Sequence, residues 1–333
     1  MRRRNFNGFL ATAAAAMLLA GGAPAAAQEF SFKLAHHYPE AHIQAQPLAA
    51  FVQEVEANSG GRIAIQVYPA ETLVTGREVL EAVEGGVVDM APMPGNYQVG
   101  TIPALQYFTY PFMFTDAQHF RRAVEGGITD LLVPEYEKHN IVLLNYYHKG
   151  ALHIMHRSKF LNTPAAFEGE RLRSLGPTIS ALMSSMGANP LSVPVGEVNA
   201  AIERGVIDGV TTNCAAHLSR GWSDGLKYVT FMDMSQGGEG LGMNADSFNS
   251  LPDDLQQVVR DAAAKMANAE WSGMIKADEE TCFEKWAAAG VEVHRLTDDE
   301  RNVFKEKMAP LFEDAVAETP GLKPYLDIAE ATK

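Results

Sequence analysis

The side chains of this chain that could do chemistry point toward holding an anion rather than transforming one. In Phe167-Glu168-Gly169-Glu170-Arg171-Leu172-Arg173, alternation puts Arg171 and Arg173 on one face of a strand and Leu172 on the other. An arginine at the carboxyl end of a strand can grip a carboxylate through two parallel hydrogen bonds. A second grouping, Asp208-Gly209-Val210-Thr211-Thr212-Asn213, sets hydroxyls and an amide where a strand leaves its sheet. The same residues also fit a polar turn closed by an Asx hydrogen bond. Histidines cluster twice, as His36, His37 and His42 and as His148, His153 and His156. Such clusters can ligate a metal. In a strand, however, His148 and His156 face one way and His153 the other, so locally satisfied or surface histidines are expected, with no metal ligands. The chain contains no G-x-S-x-G, no H-E-x-x-H, no Walker loop and no dinucleotide fingerprint. No catalytic residue is therefore assigned.

Positioning such residues takes a folded core, and the composition provides one. Of 333 residues, 47% are hydrophobic, which excludes disorder as the main state. The 41 acidic against 27 basic side chains repel phosphate, which excludes a general nucleic-acid binder. Two cysteines exclude a disulfide scaffold and a Cys-rich zinc site. The N-terminus reads as a secretory signal: Arg2 to Arg4, an apolar run from Phe9 to Leu19, then Ala25-Ala26-Ala27. Arg3-Arg4-Asn5-Phe6 fits the core of a twin-arginine signal, so the Sec and Tat routes both stay open. Cleavage near Gln28 would leave a soluble periplasmic chain with its net charge moved from −14 to −17. An oxidising compartment permits a Cys214–Cys282 bridge. The two cysteines sit in unlike contexts and single buried cysteines are common, so two separate cysteines are the expectation.

Strands and helices alternate after the signal. Phe30 to Ala35 and Ile63 to Val67 alternate as strands, and Leu48, Phe51, Val52 and Val55 form one helical stripe. A helix from about Arg77 to Glu84 leads into Val87 to Ala91, and Ile141 to Leu144 is a buried strand. This order argues for mixed α/β sheets. Residues 78–89, EVLEAVEGGVVD, are echoed by 197–208, EVNAAIERGVID, with seven of twelve positions identical. The echo argues for two lobes of similar topology with a ligand cleft between them. Pro252 opens a run with few helix breakers to Ala289, long enough to touch both lobes, with Gly273 marking a break. Thr297 to Glu300 reads as a capping box before a last helix.

Several segments in their order resemble the solute-receptor subunit of tripartite ATP-independent periplasmic (TRAP) transporters, the DctP-like family. They are Ser59 to Ile63, Val67-Tyr68-Pro69, Tyr110 to Phe114, Gly169 to Arg173, Met186 to Pro190, Glu197 to Gly209 and Leu251 to Gln256. The resemblance implies a two-lobed α/β periplasmic binding protein fold. Its mixed sheets flank a central cleft, and a long C-terminal helix spans both lobes. Lobe I would comprise 28–149 with part of about 238–278, and lobe II 150–237 with part of about 279–333. The resemblance makes Arg173 the partner of a ligand carboxylate, His37 a ligand-facing polar residue, and Thr212, beside Thr211 and Asn213, the occupant of a ligand-contacting turn. Leu152 and Pro94 stand where acid-sugar receptors carry an arginine and a glutamate. Tyr38, Asn96, Tyr97, Phe112 and Trp222 fall on cleft segments. One carboxylate anchor with apolar lining suggests a monocarboxylate such as a hydroxy, keto or aromatic acid. The implied protein is a monomeric receptor, not an enzyme. It uses no cofactor and delivers its ligand to the membrane permease subunits. The alternatives are a periplasmic enzyme acting on a small organic acid and a histidine-based metal-binding protein.

Mass spectrometry of the exported protein is expected to show an N-terminus near Gln28, and an intact Met1 would defeat the signal assignment.

Overall fold

The computed structural model describes residues 28–333, and the expected signal segment lies outside them. The strands are β1 (Phe30–Ala35), β2 (Ile63–Tyr68), β3 (Met90–Pro94), β4 (Ile141–Ala151), β5 (His153–His156), β6 (Arg171–Arg173), β7 (Asn189–Leu191), β8 (Gly209–Thr212), β9 (Tyr228–Phe231), β10 (Gln236–Asn244) and β11 (Glu292–Arg295). They form two sheets, β2-β1-β3-β10-β4 and β11-β9-β5-β8-β6-β7. β1 shows why the alternation was readable: Phe32 and Leu34 are buried, while Ser31 and Lys33 face solvent. β10 is buried along its whole length because strands flank it on both edges and helices cover its faces.

The sequence echo is a topological repeat. Read from β7, the second sheet runs β7-β6-β8-β5-β9, matching β2-β1-β3-β10-β4 position for position. The fourth strand of each set, β10 or β5, runs antiparallel to both neighbours. The helices Val79–Glu84 and Val198–Glu203 precede the equivalent strands β3 and β8. The aspartate ending each echo does the same work in both lobes. Asp89 Oδ2 accepts the Lys33 amide at 2.7 Å, and its own amide donates to the Lys33 carbonyl at 2.9 Å. Asp208 Oδ2 accepts the Arg171 amide at 3.1 Å, and its amide donates to the Arg171 carbonyl at 2.7 Å. Each aspartate thus closes the start of a parallel pair whose donor would otherwise be orphaned. The glycine shared by the echoes, Gly86 and Gly205, has φ of 70° and 65°, the left-handed turn that stops a helix.

Four connections join the lobes among the described residues, the last of them the chain from the helix Asp298–Glu318 to the helix Lys323–Ala331. Two are the crossovers from β4 to β5 and from β9 to β10. The third is the helix Asp253–Lys276, which continues through one π-helical turn, Ala277–Thr281, into the helix Cys282–Ala288. Leu255, Val259, Ala263, Met266 and Trp271 pack in the first lobe's core, and Cys282 and Trp286 in the second's. No break occurs at Gly273. A helical glycine costs only about 1 kcal/mol, and the flanking Trp271 and Met274 are buried; the irregular turn comes where the helix changes lobes. The capping box forms as expected, with Glu300 N donating to Thr297 Oγ1 and Thr297 N to Glu300 Oε2. The last helix, Lys323–Ala331, packs on the first lobe. Tyr325 stacks on Tyr107, and the His119 Nε2–H donates to the Ala329 carbonyl. Among the described residues, no helix is long and apolar enough to cross a membrane.

One expectation is overturned. Cys214 and Cys282 are joined in a disulfide, with Cα atoms 6.1 Å apart. Their contexts differ in sequence, but each opens a helix and the two helix starts meet in the second lobe's core. The bridge closes 68 residues of chain, which in the chain-entropy view stabilises by about 4 kcal/mol. Denatured, unreduced protein is therefore expected to show no thiol to alkylating reagent. The Cys214→Ser/Cys282→Ser variant should unfold at lower urea concentration, and an unchanged midpoint would count against the bridge.

Candidate functional site

The site is built at the carboxyl ends of the equivalent strands. Arg173 ends β6 and is 1% exposed. Its Nε donates to the Val193 carbonyl at 3.2 Å, its Nη1 points to the Thr211 carbonyl at 3.5 Å, and its Nη2 donates to the Tyr97 hydroxyl at 3.1 Å. All three acceptors are neutral. Tyr97 belongs to the first lobe, so this last bond spans the cleft. Other bonds cross it too, among them Arg220 Nη2 to the His37 carbonyl at 2.8 Å, Asn213 Nδ2 to the Lys149 carbonyl at 2.6 Å, and Asn96 Nδ2 to the Leu175 carbonyl at 3.4 Å. The lobes are closed on one another. Between them lies a cavity of about 60 Å³ whose lining includes His37, Lys149, Leu152, Arg173, Arg220 and Trp222. A carboxylate that reached Arg173 would compete with these cross-cleft bonds for its hydrogens.

The cavity is cationic. Among the described residues no carboxylate lies within ion-pair distance of Arg173 or Arg220. Both guanidinium carbons lie near the Trp222 ring, at 5.8 and 5.9 Å from its centroid. The indole face offers each a favourable contact of about 0.5–2 kcal/mol. Lys149 Nζ lies 2.8 Å from Glu239 Oε2 and 3.3 Å from His37 Nε2. The histidines add no charge. Burial pushes His37 well below its ordinary value, and the charges of Lys149 and Arg220 push the same way. His42 is held at about 3, by burial first and then by the charges of Arg220 and Lys149. Burial also lowers Arg220, opposed by the charge of Glu71. Behind the site the buried Glu270 carboxyl is raised well above the usual range, by burial first and then by the charge of Glu239.

Of the residues expected from sequence, Arg173, His37, Asn96, Thr212, Asn213 and Trp222 line this cavity, as do Tyr97 and Leu152. Thr211 does not: its hydroxyl is buried away from the cavity, and it contributes its carbonyl to Arg173. Tyr38 also turns away. Its hydroxyl donates to Glu239 Oε1 at 2.8 Å, and its ring stacks on His42. Asn213 serves partly as a helix cap, accepting the Ala216 amide. Phe112 lines a different and larger cavity of about 480 Å³, between Tyr110, Pro177 and the helix Asp298–Glu318. Size favours that cavity, but two arginines and a lysine converge on the smaller one, and that selects it. Arg220 and Lys149 were missed. Neither carries a local signal, although Lys149 precedes the crossover Gly150, whose φ of 108° and tight contact with Asn213 leave no room for a side chain. The second histidine cluster is dispersed. His148 stacks on Trp271, His153 on Phe231, and His156 meets Glu170.

The profile of the bacterial extracellular solute-binding proteins, family 7 (DctP), matches residues 34–319. The C4-dicarboxylate-binding periplasmic protein DctP of Rhodobacter capsulatus is 26% identical, over 96% of each chain. The fold is that of a TRAP periplasmic solute-binding protein from Roseobacter denitrificans with bound β-D-glucuronate, at a TM-score of 0.85 and 23% identity, covering 91% of this chain and 100% of that one. A Bordetella pertussis extracytoplasmic solute receptor binding pyroglutamic acid matches equally, at 0.85 and 24% identity, covering 90% and 99%.

The neutral histidines make stability depend on pH. His36, at about 4, His42, at about 3, and His217, at about 4, are all lowered by burial. The unfolded chain therefore binds more protons than the folded one between these values and about 6.5, so stability falls as pH drops through that window. Each group contributes up to about 1.4 kcal/mol per pH unit. Urea unfolding at pH 5.5 is expected at a lower midpoint than at pH 7; an equal or higher midpoint would mean these histidines are charged in the fold.

Proposed function

The chain belongs to the DctP family of bacterial extracellular solute-binding proteins, receptors of TRAP transporters, and from that premise we propose that it captures a small organic anion with one carboxylate. Capture closes the lobes, and the closed form delivers the ligand to the membrane permease subunits. The observation that carries this reading is Arg173, a buried guanidinium at a strand end in the interlobe cavity whose acceptors are all neutral. A carboxylate in place of the Tyr97 hydroxyl would exchange a neutral acceptor for a charged one, and charge-assisted bonds are roughly twice as strong. Leu152 and Trp222 give the rest of the wall an apolar character suited to a hydroxy, keto or aromatic acid. Glucuronate and pyroglutamate, bound by two of the structural relatives, each carry a single carboxylate. We read the protein as a monomeric periplasmic receptor rather than an enzyme. It is exported through residues 1–27, and its acidic surface keeps it off nucleic acid.

A thermal-shift panel of hydroxy, keto and aromatic monocarboxylates, uronates and C4 dicarboxylates tests the class; ligand at 100 times its Kd stabilises by about 2.7 kcal/mol. With the best ligand in hand, Arg173→Ala is expected to weaken binding about 10²–10³-fold, since removing one partner of a buried pair costs about 3–5 kcal/mol. Arg173→Lys should restore only part of it, because a point charge lacks the forked geometry. Titration calorimetry decides, and a loss below about fivefold would sink the anchor assignment.

A further inference from the structure

Two carboxylates lie outside the cavity lining, each associated with one of its cations. Glu239, on β10, is wholly buried. Its Oε2 is 2.8 Å from Lys149 Nζ, and its Oε1 accepts the Tyr38 hydroxyl at 2.8 Å. Glu71, in the loop after β2, is half-buried. It is fixed by the Gly76 amide, which donates to its Oε1 at 2.8 Å, and its backbone has φ of 62°. A left-handed glutamate is uncommon and is held here by its surroundings. Its amide donates to the His36 carbonyl at 3.1 Å, next to the His37 carbonyl that the Arg220 guanidinium reaches at 2.8 Å, so its charge sits beside that of Arg220 and favours it. Arg173 has no such companion. Three cations against two carboxylates leave one net positive charge, because the cavity histidines are neutral.

Lys149 also sets His37. An ammonium only donates, so its 3.3 Å contact makes Nε2 the acceptor and puts the His37 proton on Nδ1. Nδ1 is buried without a hydrogen-bond partner, on a residue that lines the cavity. An N–H in that position seeks an oxygen acceptor.

We propose that Glu239 and Glu71, neither of which lines the cavity, determine its specificity by holding its charge at one positive unit. The site then takes an acid with one carboxylate, for Arg173, and one neutral oxygen, for the His37 Nδ1–H. It rejects a dicarboxylate, whose second group would face a lysine already engaged by Glu239 and would be buried without full compensation. Both glutamates are positioning residues acting through Lys149 and Arg220. The inference rests on the organic-anion reading above.

The test pairs each monocarboxylate of the panel with the dicarboxylate that replaces its far oxygen group, 4-hydroxybutyrate with succinate being one pair. Affinities are measured by calorimetry on the full mature chain. The wild type should prefer the monocarboxylate of a pair. Glu239→Gln and Glu71→Gln should each move the ratio of the two affinities at least tenfold toward the dicarboxylate, a gain that damage to the fold cannot produce. Lys149→Met/Glu239→Gln should lose the gain of the single Glu239 variant. A wild-type preference for dicarboxylates overturns the inference, as do single variants that weaken both ligands equally or a double variant that keeps the gain. Should Glu239→Gln not fold, Glu71→Gln, half-exposed and far from the core, carries the same test. If Arg173→Ala abolishes binding while both ratios stay fixed, only this inference falls. If the wild type binds no organic acid, the receptor reading falls and takes this one with it.

Discussion

A guanidinium taken almost wholly out of water, with no carboxylate beside it, is the constraint on which this structure turns. A loop carbonyl at Val193, a strand carbonyl at Thr211 and a hydroxyl from the opposite lobe accept the hydrogens of Arg173. Neutral acceptors satisfy its geometry but leave its charge unmatched, and unmatched buried charge is costly. The lowest-energy completion is an anion held between the lobes. A closed cleft that favours an anion and cross-cleft bonds that an anion would replace are two statements of one physical fact.

Holding that arginine at a strand end requires two sheets facing one another, and the chain achieves this by repeating one topology. Asp89 and Asp208 close the equivalent parallel pairs in each lobe, so the ends of β1 and β3 face those of β6 and β8 across the cleft. The crossovers at Gly150 and after β9 connect the lobes, and the helix from Asp253 to Ala288 is packed into both cores. The disulfide fixes its second half to the helix that Asn213 caps. A turn that lines the cavity and the interlobe strut are therefore mechanically one unit.

The electrostatics are layered. Arg173, Arg220 and Lys149 face the cavity, Trp222 sits against both guanidiniums, and burial keeps His37 and His42 neutral. Glu239 lies behind Lys149, and Glu270 behind that is pushed toward its neutral form. Charge falls off with depth because each additional buried ion costs more than the last unless its partner is adjacent.

The sequence by itself determined what short-range physics dictates. Period-two alternation marked β1 and β2, the 3.6-residue stripe marked the helix around Phe51, and Thr297 and Glu300 marked a helix start. The repeated E-V…G-V…D run marked two lobes, and Arg173 was recognisable because strand alternation and the family motif both aim it. What the tertiary structure decided are contacts between residues far apart in the chain. Arg220 reaches His37 across 183 residues and Tyr38 reaches Glu239 across 201, distances over which no periodicity carries information. Tyr38 and Thr211 sit on cleft segments yet turn inward, Tyr38 toward its buried partner Glu239 and Thr211 because strand alternation gives the cavity side to Thr212. The pairing of Cys214 with Cys282 belongs to the same class: local context set each cysteine at a helix start, and only the packing of those two helices brought the sulfurs together.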